Sequence, residues 1–174
     1  MTTTRLDDVL ASIDEGVATD LDGLFTLVRQ PSISAQNVGV RDCAELVRGF
    51  MDDAGLETRL LETSGHPMVL GTWLGAGDDK PTILFYGHYD VQPPEPLDLW
   101  DSEPFEPTIR DGRIYARGVA DNKAQFLCTE SDCLSSGVVP SEAGVSHSQL
   151  SSGHQSLGPR YLGSIRRFVS HRSL

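Results

Sequence analysis

The apolar positions in the first part of the chain follow two periods. Leu6, Val9, Leu10, Ile13 and Val17 recur at three- and four-residue spacing, and Leu21, Leu24, Phe25 and Val28 carry the stripe to Pro31. This spacing predicts a helix that stops before the proline. A second helix is predicted from Val40 to Ala54, with Cys43, Leu46, Val47, Phe50 and Met51 on one face and Gly55 placed to end it. Arg59 to Glu62 and Met68 to Trp73 read as strands, and Gly75 to Asp79 as a turn. Thr82 to Tyr86 is a short apolar run, the pattern of a buried central strand. Phe105 to Ile109 and Arg113 to Tyr115 flank Asp111-Gly112, a hairpin signal. The expected fold class is α/β, a mixed sheet flanked by helices.

Neither period survives past residue 127. Residues 1–127 contain five serines and residues 128–174 contain twelve, with three of the five histidines and two of the three cysteines. The tail's four arginines outweigh Glu130, Asp132 and Glu142, so it carries +1 while the first 127 residues carry −12. A break this sharp predicts a boundary: an ordered unit over 1–127 and an atypical Ser/His-rich tail over 128–174, expected to be disordered. Within the tail, Tyr161 to Val169 has the pattern of a short helix or strand.

Charge narrows the partners. A net charge of −11 and a pI near 4.7 disfavour nucleic acid and anionic membranes, whose phosphates would repel the chain. The first residues lack the apolar run of a secretory signal, and no stretch reaches the roughly 18 apolar residues of a membrane span. An odd, small number of cysteines fits reduced thiols, so a cytoplasmic location is expected.

Chemistry concentrates in two short motifs. The apolar run ends in Gly87-His88-Tyr89-Asp90-Val91-Gln92-Pro93. On an extended chain His88 and Asp90 point to the same face. One imidazole nitrogen can then meet a metal while the carboxylate two residues on holds the other N–H. The second motif is Arg117-Gly118-Val119-Ala120-Asp121-Asn122-Lys123, in which small residues let the backbone approach a ligand and Asp121 can offer one oxygen to each of two metals. Taken separately, each reads as readily as a structural turn: Asp90 before Pro93, Asp121 as a helix N-cap.

In order, with Trp100, Pro104-Phe105-Glu106-Pro107 and Asp111-Gly112-Arg113-Ile114-Tyr115-Ala116 between them, the motifs form a series. That series resembles the co-catalytic zinc peptidase family of carnosinase-type dipeptidases, aminoacylases and acetylornithine deacetylases. The wording Tyr86-Gly87-His88-Tyr89-Asp90-Val91-Gln92-Pro93 is most similar to the dipeptidase branch. The resemblance covers roughly residues 5–127, including Gln30-Pro31-Ser32-Ile33-Ser34. It implies that His88 binds one zinc, that Asp121 bridges two, and that Asp90 is the catalytic-site carboxylate orienting His88. It implies two Zn2+ per complete site, with Co2+ or Mn2+ as substitutes, and a cis peptide between Asp121 and Asn122. The implied substrate is a dipeptide or a small N-acylated amino acid. Homodimers are frequent in the family. Ala124 departs from the glycine usual there, which a helical backbone would tolerate.

The same resemblance defines what this sequence lacks. Relatives carry a later Glu-Glu pair, one member the general base and the other a zinc ligand, and they are more than twice as long. No Glu-Glu pair occurs here. Where the family continues an amphipathic helix, this chain reads Cys128-Thr129-Glu130-Ser131-Asp132-Cys133. A reading-frame shift near codon 127 would account for the change, and the nucleotide sequence tests it. The expectation is a truncated hydrolase, inactive alone, with a dipeptidase ancestry and an acylamino-acid deacylase as the alternative. Two further readings are a non-functional truncated product and a small zinc-binding module built on Cys128, Cys133, His147 and His154. Elsewhere, Cys43 is expected in the core, His66 in an exposed loop, and Trp100 and Phe105 over the sheet.

Overall fold

The computed structural model describes residues 6–75, 77, 79–82, 84–127, 142–145 and 156–157. Helix α1 spans Leu6–Arg29 and α2 spans Val40–Asp53, as the apolar stripes predict. Helix α2 begins after Gly39, whose φ of 65° and position 2.3 Å (for an added Cβ) from the Pro31 carbonyl oxygen require glycine. It ends as Gly55 takes φ 82° and the Leu56 N–H donates to the Met51 carbonyl at 3.0 Å, a Schellman-type cap.

Strands β1 (Glu57–Leu61) and β2 (Met68–Thr72) pair antiparallel, from Glu57 opposite Thr72 to Leu61 opposite Met68. Strand β3 is Leu84–Gly87. Strands β4 (Thr108–Arg110) and β5 (Arg113–Tyr115) form the expected hairpin, with Asp111 at φ 50° and Gly112 at φ 69° in its turn. The expectation of a disordered tail is corrected at two segments, which gain order by pairing with strands of the first 127 residues. Strand β6 (Glu142–Val145) lies between β2 and β3, antiparallel to the first and parallel to the second, giving the order β1-β2-β6-β3. Strand β7 (Ser156–Leu157) adds to β5. The expected α/β class with a mixed sheet therefore holds. The remainder of the tail, including Cys128, Cys133, His147, His154 and the stretch 161–169, lies outside the described residues.

The expectation for the apolar run at 82–86 needs correction. Strand β3 is at the end of the described sheet, and Leu84 and Tyr86 are 64% and 61% exposed. The run signals a strand suited to burial on both faces, but apolarity does not say what covers it. Phe85 and Gly87 point the other way, where Phe85 packs on the core.

That core lies between the helices and the sheet. Leu24, Leu27 and Val28 of α1 meet Val40, Cys43, Ala44, Val47 and Met51 of α2, with Val69, Tyr89, Val119, Phe126 and Leu127 completing it. Cys43 is fully buried, as its place on the apolar face predicts. Ala124 has helical φ −70° and ψ −32° and is buried, so the methyl is accommodated. No helix among the described residues is long and apolar enough to cross a membrane.

Candidate metal centre

Strand β3 delivers the first motif. An added Cβ at Gly87 would lie 2.8 Å from both Asn122 Oδ1 and Phe126 Cβ, so glycine here lets the second motif pack directly against the strand end. Tyr89 and Val91 are buried, and the Tyr89 hydroxyl donates to the Pro67 carbonyl oxygen. The loop after α1 fixes this stretch: the Ser32 hydroxyl donates to the Tyr89 carbonyl at 2.6 Å, and the Val91 N–H donates to the Ser32 carbonyl at 2.9 Å. His88 and Asp90 share the opposite side, as the two-residue period requires.

The second motif opens at Gly118, where φ is 88° and an added Cβ would lie 2.4 Å from Val91 Cγ1. A distorted helical turn follows over Val119–Lys123, broken at Asp121, whose φ of −147° and ψ of 92° are extended. The Asp121–Asn122 peptide is cis, as the resemblance implies. Asn122 Oδ1 accepts the His88 backbone N–H at 3.1 Å, and the Asn122 amide donates to the Gln125 side chain. Lys123 is fully buried; its ammonium donates to the Leu27 carbonyl at 3.0 Å and the Gln30 carbonyl at 2.7 Å.

His88, Asp90 and Asp121, predicted from sequence, come together. His88 Nε2 is 2.8 Å from Asp121 Oδ1. His88 Nδ1 is 3.2 Å from Asp90 Oδ1 and 3.1 Å from the Asp90 carbonyl oxygen. Hydrogen bonding to Asp90 raises the imidazole pKa to about 9, with Asp121 adding to the shift and burial opposing it. Both ring nitrogens therefore carry protons near neutral pH and donate, one to each carboxylate.

This donor set suits a divalent metal. The proton on Nε2 sits between an imidazole nitrogen and a carboxylate oxygen, two groups that bind zinc, while Asp90 holds the opposite N–H. The Asp121 side chain is 44% exposed. Among the described residues no group of three or more His, Cys, Asp or Glu is placed to hold a metal ion.

Three residues escaped the sequence reading. Ser34 donates from its hydroxyl to Asp90 Oδ2 at 2.6 Å. His66, expected in an exposed loop, is half-buried, with Nε2 3.1 Å from the Ser34 carbonyl oxygen. Lys123 was legible as part of a motif but not as a buried ammonium. Trp100 donates from Nε1 to the Pro94 carbonyl at 2.7 Å and faces the Arg117 guanidinium at 5.1 Å.

Residues 84–129, which contain both motifs, match the family model "Peptidase family M20/M25/M40". Over 117 residues the chain is 38% identical to the succinyl-diaminopimelate desuccinylase of Thiobacillus denitrificans, covering 67% of this chain and 27% of that protein. Its fold matches the crystal structure of an M20 family metallo-carboxypeptidase, Sso-CP2 from Sulfolobus solfataricus, at TM-score 0.65 and 33% identity, over 72% of this chain and 29% of that one. It also matches the dipeptidase Dug1p of Saccharomyces cerevisiae at TM-score 0.71 and 24% identity, over 83% of this chain and 34% of that one, a likeness of fold. The segment bearing both motifs is that of the M20 peptidase family, a family of hydrolases, and the likeness to a relative extends over 67% of the chain. The chain spans about a quarter of the length of the curated relatives it matches.

Proposed function

We propose that this chain supplies half of a two-zinc hydrolase centre of dipeptidase type and lacks appreciable turnover by itself. The observation that carries this reading is the convergence of His88, Asp121 and Asp90 at one strand end. His88 Nε2 and Asp121 would hold the metal, with Co2+ or Mn2+ as substitutes for zinc. When bound, the metal pair acidifies a water and polarises the scissile amide carbonyl.

The chain's own residues have defined parts in this. Asp90 keeps the His88 ring turned toward Asp121 by accepting from Nδ1. Asn122 fixes the His88 backbone, and Lys123 ties the turn bearing Asp121 to the end of α1. The sequence holds no Glu-Glu pair of the kind whose member would take the proton of an attacking water. Residues 1–127 are read as the catalytic-domain portion and 128–174 as an atypical tail that lends strands β6 and β7 to its sheets. A cytoplasmic location and a dipeptide substrate follow from the sequence reading.

A second reading, acylamino-acid deacylase, is compatible with the 38% identity to a desuccinylase. The test is to assay the zinc-loaded chain, beside His88→Ala, against L,L-dipeptides and N-succinylated or N-acetylated amino acids. No turnover is the expected result. Dipeptide turnover abolished by His88→Ala would contradict the inactive half-site, and turnover confined to acylated amino acids would move the chain to the deacylase branch.

A further inference from the structure

A hydrogen-bonded line runs from the loop after α1 into the candidate metal centre. The His66 ring nitrogen lies 3.1 Å from the Ser34 carbonyl oxygen. The Ser34 hydroxyl donates to Asp90 Oδ2 at 2.6 Å. The other oxygen, Asp90 Oδ1, faces His88 Nδ1 at 3.2 Å, and His88 Nε2 faces Asp121 Oδ1 at 2.8 Å. Ser34 thus holds one carboxylate oxygen while His88 meets the other.

We infer that Ser34 is a positioning residue for the metal ligand His88, acting through Asp90. The inference rests on reading His88 and Asp121 as metal ligands. Its physical basis is the geometry of a carboxylate. Rotation about the Asp90 Cβ–Cγ bond swings both oxygens together, so a short bond to Oδ2 fixes where Oδ1 stands. Asp90 is 7% exposed, which leaves little water to replace a missing donor. Without Ser34 the buried carboxylate would lose the donor that fixes Oδ2, and the imidazole's acceptor at Oδ1 would be placed less firmly. Partners of this kind typically alter metal affinity by about 10- to 100-fold.

The loop is built to hold Ser34 in place. Ile33 forms a parallel bridge with Val91, one residue beyond Asp90, and an antiparallel bridge with Val38. Ser32 is fully buried and bonds to Tyr89 on the other side of Asp90. Ser34 opens a short 3-10 turn, Ser34–Gln36, with Asn37 at φ 54° closing it. His66 reaches across from the β1–β2 connection to the Ser34 main chain.

The experiment is zinc titration of the full chain against a chromophoric chelator at fixed pH. It compares wild type, Ser34→Ala, Ser34→Thr and His88→Ala, with thermal unfolding of each metal-free form beside it. Ser34→Ala should lose about tenfold or more in zinc affinity. Ser34→Thr, which keeps the hydroxyl, should recover most of it. The metal-free midpoints of the two Ser34 variants should lie close together, so that loss of fold does not explain the difference. Zinc affinity lost in His88→Ala but unchanged in Ser34→Ala would overturn the Ser34 assignment alone. Equal losses in Ser34→Ala and Ser34→Thr would also overturn it, because the hydroxyl would then be immaterial. Zinc binding indifferent to both His88→Ala and Ser34→Ala would overturn the metal-ligand reading and this inference with it.

Discussion

The Lys123 ammonium donates to the Gln30 carbonyl at 2.7 Å from a fully buried position, joining the turn that carries Asp121 to the residue that follows α1. A second bond, to Leu27, takes another carbonyl at the same helix end. Burial lowers the lysine's pKa, with Cys43 and Asp90 opposing that shift. Lys123→Met keeps the aliphatic stem but leaves both carbonyls without their donor. It should destabilise the fold by roughly 1–3 kcal/mol. Urea unfolding checks this, and a midpoint equal to wild type would show that water or local rearrangement replaces the ammonium.

Gly118 is where the two motifs touch. Alanine there would take up a left-handed φ of 88° and push its methyl to 2.4 Å from Val91 Cγ1. Backbone strain and overpacking together should cost roughly 2–4 kcal/mol. The displacement would fall on Asp121, three residues on, so Gly118→Ala should also weaken zinc binding. Unchanged stability by urea unfolding would show that the turn can move without penalty.

His88 makes both stability and metal uptake depend on pH. Its folded pKa of about 9 lies above the unfolded value of 6.5. The stabilisation is therefore fully present below pH 6.5 and is lost as pH rises through 9, amounting to at most about 3 kcal/mol. Zinc must displace the Nε2 proton, so affinity should rise about tenfold per pH unit up to pH near 9 and then level off. Unfolding and zinc titrations between pH 6 and 10 measure both trends. His88→Gln should flatten the two curves, and a pH trend that survives in that variant would assign it to another group.

How much of this was legible in the sequence depends on the range of each interaction. The helices follow from local spacing, from Pro31 after α1 and Gly55 after α2, and the β4–β5 hairpin from Asp111-Gly112. His88 and Asp90 share a face because the strand period is two. The Ser34–Asp90 bond spans 56 residues and the His66–Ser34 contact spans 32, so no local pattern announces either. Lysine is ordinarily exposed, and nothing around Lys123 in sequence signals that two helix-end carbonyls await it. The apolar run of β3 has the pattern of a central strand, but composition reports fitness for burial rather than the presence of a neighbour.

That exposed face carries its own expectation. Leu84 and Tyr86 stand side by side on β3 and are largely uncovered. Such a face favours self-association. Sedimentation velocity should show concentration-dependent oligomers that Leu84→Lys and Tyr86→Lys reduce. A monodisperse monomer in the wild type would contradict this.

The most direct test of the half-site is zinc stoichiometry and affinity on the purified chain beside His88→Ala and Asp121→Ala. The structure predicts one zinc bound by wild type and a loss of at least about tenfold in affinity in each variant. Zinc binding that neither substitution alters would mean that the strand-end constellation does not hold the metal, and the account of this chain as half of a hydrolase centre would fail.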